Sequence, residues 1–286
     1  MTRSEFAALV QHGVVFLDGA TGSNLMKAGM PRGVCTEQWN LEHPEVIQSL
    51  QRDYVVAGSQ IVYAPTFTGS APYLEQHGLA DRLEEINRRL VALSRAAVGE
   101  HVCVAGDMTT IGRADCSYEE LLSVYTRQAK ALAAAGVDLF VIETMMGLEE
   151  TMAALEACKM VSELPVMCTM SVTADGMLYF GGSIYDAAPQ LEGFGADAVG
   201  INCSCGPDQM LTVVRSLADM LTVPVIAKPN AGMPIIDENG NAIYSMGPEE
   251  FAVHMKALHE AGARILGGCC GTDPAYIRAV RQIIKE

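Results

Sequence analysis

The chain has 286 residues, half of them hydrophobic, with 34 acidic and 19 basic side chains and a formal net charge of −15. That is ample apolar material for one large core, and the acidic balance argues against nucleic acid or an anionic membrane as a partner, because both need a basic patch. Met1 to Gln11 lacks the apolar run of a signal peptide and no stretch reaches the roughly 18 apolar residues that span a bilayer, so the nine cysteines are expected in a reducing cytoplasm, as buried hydrophobes, metal ligands or reactive thiols.

Taken in chain order, short apolar runs of strand length alternate with longer segments of helical spacing. The first strand is predicted over Val14–Asp18 and leads into Asp18-Gly-Ala-Thr-Gly22, a turn without the G-x-G-x-x-G spacing of a dinucleotide site. The second covers Gln60–Pro65, and Leu83, Ile86, Leu90 and Leu93 then mark a helix. The third, Val102–Asp107, precedes Leu121, Tyr125, Ala129 and Leu132; the fourth, Asp138–Glu143, precedes Met152 and Leu155. The fifth is Val166–Ser171, and the sixth, Ala198–Cys203, precedes Met210, Val214 and Leu217. The seventh, Val223–Lys228, precedes Phe251, Met255 and Leu258, and the eighth is Arg264–Gly268.

The runs are rich in Val and Ile and nearly continuous in hydrophobicity, as parallel strands covered on both faces require. Gly58, Gly99, Gly136 and Gly262 read as helix C-caps, and Ala135-Gly-Val137, Phe194-Gly-Ala196 and Ala261-Gly-Ala263 repeat one helix-to-strand joint. No linker divides the chain. Eight βα units predict a single α/β domain over residues 1–286, a (β/α)8 TIM barrel, with an open doubly wound sheet as the rival.

In such barrels the active site lies at the C-terminal strand ends. Those ends carry Asp18, Thr66, Asp107, Glu143, Ser171, Asn202 with Cys203, Lys228 with Asn230, and Cys269 with Cys270. One strand separates the sixth from the eighth, so Cys203, Cys269 and Cys270 can meet around one ion, with glycines letting the backbone bend. Zinc accepts three thiolates and keeps a fourth position for substrate. Such a centre carries net charge −1, which suits holding a nucleophilic thiolate better than activating water. A redox pair is the competing reading, and buried packing is the expectation for Cys35, Cys103, Cys116, Cys158 and Cys168. Asp18 and Glu143 either satisfy backbone N–H groups or bind the ammonium of an amino-acid substrate, whose carboxylate could rest on the amides of Gly19, Ala20, Thr21 and Gly22. The six histidines lie outside the predicted rim.

At these residues the sequence resembles the zinc-dependent homocysteine S-methyltransferase family, which includes betaine–homocysteine methyltransferase and the homocysteine domain of cobalamin-dependent methionine synthase. Asp18-Gly-Ala-Thr-Gly22, Ile142-Glu-Thr144, Gly200-Ile-Asn-Cys203 and Gly267-Gly-Cys-Cys-Gly271 look like its signature segments, in its order, along essentially the whole chain. The resemblance implies Cys203, Cys269 and Cys270 as zinc ligands, Asp18 and Glu143 on the homocysteine ammonium, and Asn202 shaping the pocket. Lys228-Pro-Asn-Ala-Gly-Met-Pro234 is most similar to the methionine synthase branch, whose donor is methylcobalamin on another domain. That implies methyl transfer to homocysteine from a separate corrinoid protein, because the folate, corrinoid and reactivation modules are absent.

Two features depart from the pattern. Gly106-Asp-Met-Thr-Thr-Ile-Gly112 stands where that branch has a Gly-Pro turn and a longer loop, and Cys205 is an extra thiol, read here as a bystander. A small onium donor, S-methylmethionine or betaine, is the alternative, although no aromatic cage is evident. A thiol redox switch or a non-catalytic homocysteine carrier are alternatives of another class.

Overall fold

The computed structural model describes residues 1–113, 115–238 and 242–284. Eight parallel strands form its barrel: β1 (Val15–Phe16), β2 (Ile61–Tyr63), β3 (Cys103–Thr109), β4 (Leu139–Met145), β5 (Val166–Met170), β6 (Ala198–Cys203), β7 (Val225–Pro229) and β10 (Ala263–Leu266). A small antiparallel hairpin, β8 (Pro234–Ile236) with β9 (Ala242–Tyr244), stands apart from them. Neighbours run β1-β10-β7-β6-β5-β4-β3-β2. A parallel bridge from Leu17 to Ile61 and the hydrogen bond from Gln60 N–H to the Phe16 carbonyl close the ring. Helices fill every crossover, and the fold is the (β/α)8 barrel that the alternation predicts.

Two apolar layers hold it together. Alternate strand residues point inward, among them Val15, Tyr63, Leu139, Met167, Ile226 and Ile265, and pack as one interior cluster. Their neighbours point outward against the helices in a second, larger cluster. This two-sided burial is why the strands read as unbroken apolar runs.

A helix over Arg3–Gln11 closes the bottom of the barrel. It starts from a reciprocal capping box between Thr2 and Glu5. It inserts Phe6 and Val10 among the interior side chains, each burial contributing about 1.5–3 kcal/mol. The three repeated joints adopt the expected left-handed turn, with φ of 83° at Gly136, 98° at Gly195 and 116° at Gly262.

The strand limits differ from expectation at the mouth. β3 and β4 run on to Thr109 and Met145, while the eighth barrel strand stops at Leu266 rather than Gly268. Beyond it, Gly268 lies so close to Thr272 that a Cβ would sit 2.4 Å from its hydroxyl oxygen, so only glycine fits there.

Candidate active site

A pocket of about 360 Å³ opens at the C-terminal ends of the strands, lined by segments that follow β1, β2 and β10 and by the ends of β3, β4, β6 and β7. Its volume is at the small end of the range for ligand sites. Asp18, Gly19, Ala20, Thr21, Glu143, Cys203, Cys269 and Cys270 all line it. No histidine does.

The three sulfurs converge. The Sγ atoms of Cys203, Cys269 and Cys270 all lie within 4.8 Å of one another, and they form the one group of three metal-type ligands among the described residues. A tetrahedral zinc with Zn–S near 2.3 Å spaces its sulfurs about 3.8 Å apart, so the set fits that ion and leaves a fourth position for another ligand. Cys203 ends β6 in the left-handed region, at φ 58°, followed by Ser204 at φ 60°. Cys269 and Cys270 follow β10 and are pinned through their backbones. Cys269 N–H donates to the Pro229 carbonyl at 2.6 Å, and the Cys270 carbonyl accepts from Ala231 N–H at 2.9 Å.

Hydrogen bonds from the Cys203 and Cys269 thiols hold Cys270 well below the usual thiol range, with the Tyr244 hydroxyl of β9 adding to them. Cys205 stays outside this cluster. Its amide donates to the Cys203 carbonyl at 2.6 Å and its carbonyl accepts from Asn230 N–H at 3.0 Å, so its backbone shapes the loop.

Beside the sulfurs lies a charged floor. Asp18, Asp107 and Glu143 are buried there with one cation, Lys228, which is only 3% exposed. Its Nζ lies 3.5 Å from Glu143 Oε2 and 4.6 Å from the centre of the Tyr63 ring. Burial pushes both Asp18 and Glu143 up to about 7, against the opposing pull of Lys228. Asp107 is likewise raised, by burial and then by Glu143. For Lys228 burial acts downward, but Glu143 and the other acidic groups override it and keep the amine protonated.

Asp18 satisfies a backbone N–H, the first of its two expected roles, with one carboxylate oxygen only. Its Oδ2 accepts the Tyr63 N–H at 2.8 Å, while Oδ1 is buried without a partner. Asp107 Oδ1 is in the same condition. A floor with three acids, one lysine and two orphaned oxygens is chemically short of a cation.

The turn after β1 is fixed by the segment after β10. Ala20 N–H donates to Thr272 Oγ1 at 3.1 Å, and that hydroxyl donates to the Cys269 carbonyl at 2.7 Å. Asn24 Nδ2 donates to the Ala20 and Thr272 carbonyls at 2.7 and 2.8 Å. The amide of Ala20 is therefore already committed, whereas those of Thr21 and Gly22 have no hydrogen-bond partner among the described residues.

Asn202 is fully buried. Its Oδ1 accepts the Thr144 N–H at 2.8 Å, and its Nδ2 donates to Thr144 Oγ1 at 2.8 Å and Glu143 Oε2 at 3.2 Å. Thr66 and Ser171 also turn to support, bonding the backbones of Asp107 and Asn202.

Sequence reasoning missed Glu37 altogether. It lies in the first turn of a short helix over Thr36–Glu42, lines the pocket mouth, and accepts from Thr68 N–H and Oγ1 at 2.9 and 2.7 Å. An acid in a first turn is ordinary, so no pattern distinguished it.

A family model for homocysteine S-methyltransferase matches residues 15–284. Methionine synthases of Mycobacterium tuberculosis (strain ATCC 25618 / H37Rv) and Mycobacterium leprae (strain TN) are each 30% identical over 293 residues, covering 94% of this chain. The chain spans 24% of the length of those relatives. Among solved structures, the homocysteine methyltransferase MmuM from Escherichia coli superposes with a TM-score of 0.81 in its oxidized form, at 24% identity over 94% of this chain and 96% of that one. Its metallated form gives 0.81 at 23% identity, over 97% and 98%.

Proposed function

Because the chain belongs to the homocysteine S-methyltransferase family, we propose that it transfers a methyl group to the thiol of homocysteine, giving methionine. In this reading Cys203, Cys269 and Cys270 hold zinc, and the donor is methylcobalamin held by a corrinoid-binding protein or domain. The observation that carries it is the adjacency, in one small pocket, of three clustered sulfurs and two buried carboxylates, Asp18 and Asp107, each with an unpartnered oxygen.

The residues divide the acceptor between them. Asp18 and Glu143 take the ammonium, which supplies the cation that the floor lacks. The amides of Thr21 and Gly22 take the carboxylate, with Ala20 excluded by its bond to Thr272. The thiol then points at the cysteines. Zinc, when bound there, supplies the charge that keeps a thiol ionised near neutral pH. As the new sulfur–carbon bond forms, the bond from methyl to donor breaks with its electron pair left on the donor, and the thiol proton passes to solvent. The enclosed pocket limits water around the reacting sulfur.

Two observations favour a corrinoid donor over a small onium. One face of Tyr63 is covered by Lys228, which removes it from any cage. Exposed apolar side chains stand on the segments after β5 and β7, with Met177, Tyr179 and Phe180 on one and Ile235, Ile236 and Ile243 on the other. They offer a large donor more surface than a small cation needs. The nine cysteines are free thiols, which fits the reducing compartment expected of them, and no helix among the described residues is long and apolar enough to cross a membrane.

The test combines metal analysis with an assay of homocysteine against methylcobalamin, S-methylmethionine and betaine in parallel. One zinc per chain and fastest turnover with methylcobalamin are expected, and Cys269→Ala should lose both metal and activity. Full transfer by a zinc-free variant would sink the reading. Homocysteine binding without turnover on any donor would favour a carrier.

A further inference from the structure

We propose that Asn202 is a positioning residue, which holds the Glu143 carboxylate in register with Cys203 and contacts no part of the acceptor. The inference rests on the methyl-transfer reading above and concerns how the ammonium anchor and the metal ligand are kept at a fixed span.

Three of the four hydrogen bonds open to the amide of Asn202 go to protein, to Thr144 N–H and Oγ1 and to Glu143 Oε2, at 2.8, 2.8 and 3.2 Å. Both donors are spent, and the fully buried side chain does not line the pocket. Its own carbonyl accepts from Ser171 Oγ and Ser204 Oγ, each at 3.3 Å, so its backbone is held as firmly as its side chain.

The partner it grips is strained. Thr144 sits at φ 61°, a left-handed conformation that a β-branched residue rarely adopts. Two hydrogen bonds from one side chain keep it there. If they are released, the 143–144 peptide rotates toward the extended region and carries Glu143 with it.

The residue after Asn202 is Cys203, itself left-handed. One side chain thus ties together the strained peptide behind the acceptor's anchor and the strained peptide that presents a sulfur. It does so across β5, which lies between β4 and β6. Lys228 steadies the same Glu143 oxygen at 3.5 Å, which leaves Oε1 to face the ammonium.

The decisive comparison uses two acceptors, homocysteine and its desamino analogue, which has no ammonium for Glu143 to hold. In zinc-loaded Asn202→Ala, kcat/KM for homocysteine should fall about tenfold to a hundredfold, the usual cost of losing such support. For the desamino analogue it should stay within about threefold of wild type, with zinc stoichiometry unchanged. A crystal structure of the variant should show Thr144 outside the left-handed region.

Asn202→Asp keeps an acceptor for Thr144 N–H but faces Glu143 with an oxygen. It should lose the same selectivity, and it carries the test if the alanine variant does not fold. Equal losses on both acceptors, or Thr144 and Glu143 unmoved in the variant structure, overturn the proposal. A wild-type protein that methylates neither thiol refutes the methyl-transfer reading instead, and the variant structure still decides the part played by Asn202.

Discussion

Replacing Lys228 by methionine removes the one cation among the described residues lining the pocket. At 3.5 Å from Glu143 Oε2, its attraction to that carboxylate is about 5 kcal/mol at an effective dielectric constant near 20. Breaking a buried pair by removing one partner costs about 3–5 kcal/mol, in agreement. The stem is replaced nearly isosterically, so packing contributes little to the loss.

The sign of the pH dependence follows from the carboxylates. Asp18 and Glu143 stand near 7 in the folded protein, against about 4 in an unfolded chain. The folded state therefore binds their protons more tightly. The stability they contribute is present below about pH 4 and is lost as pH rises toward 7. Without Lys228 both values rise further, and the loss continues to higher pH.

Urea denaturation of zinc-loaded wild type and Lys228→Met between pH 5.5 and 8.5 measures this directly. The difference should reach about 3–5 kcal/mol above pH 7 and shrink as the acids become protonated below pH 6. In thermal melts that maximum corresponds to roughly 6–15 °C, at about 2–3 °C per kcal/mol for a domain of this size. A gap independent of pH, or largest at the acidic end, would refute the electrostatic account of the floor.

Other perturbations probe the supports around the pocket. Thr272→Val keeps the shape but strips the hydroxyl that accepts from Ala20 N–H and donates to the Cys269 carbonyl. Denaturation should register a cost of about 1–3 kcal/mol, and KM for homocysteine should rise while zinc content holds; an unchanged KM would separate this hydroxyl from acceptor binding. Glu150→Ala removes a buried carboxylate that accepts from Thr110 Oγ1, Ile111 N–H and the Tyr125 hydroxyl, at 2.6, 2.7 and 2.7 Å. Hydrogen exchange at Ile111 should accelerate at least about tenfold, for a loss of about 1.5–3 kcal/mol in local stability; protection equal to wild type would show that the segment after β3 is held by something else.

The barrel was legible because the parallel strands are buried on both faces nearly throughout, so they left apolar runs such as Leu139 to Ile142 between helical spacings. The β8–β9 hairpin was not. Its residues are mostly exposed, so no burial pattern marked it as strand. The helix that closes the barrel bottom was also missed, because only Phe6 and Val10 of its nine residues are buried, too few to set a period.

Within the pocket, strand ends disclosed Asp18, Glu143 and the cysteines, since a polar or sulfur group closing an apolar run is visible in one dimension. Which groups face one another is not. That Lys228 neutralises Glu143, or that Asn202 reaches two strands away to Thr144, depends on neighbours brought together only by closure of the ring. The amide of Ala20 was assigned to substrate because nothing nearby in sequence points to Thr272, 252 residues on.

Thr144, Cys203 and Ser204 are the non-glycine residues with positive φ among the described residues, and they flank this one pocket. Left-handed backbone costs about 1–2 kcal/mol per residue, so the folded state would gain if these positions drifted to glycine or asparagine. A lineage selected for heat resistance alone would find those replacements early and lose its grip on the sulfur at Cys203. Persistence of awkward side chains at these three positions is thus a marker of use, readable in any relative whose chemistry has not been assayed.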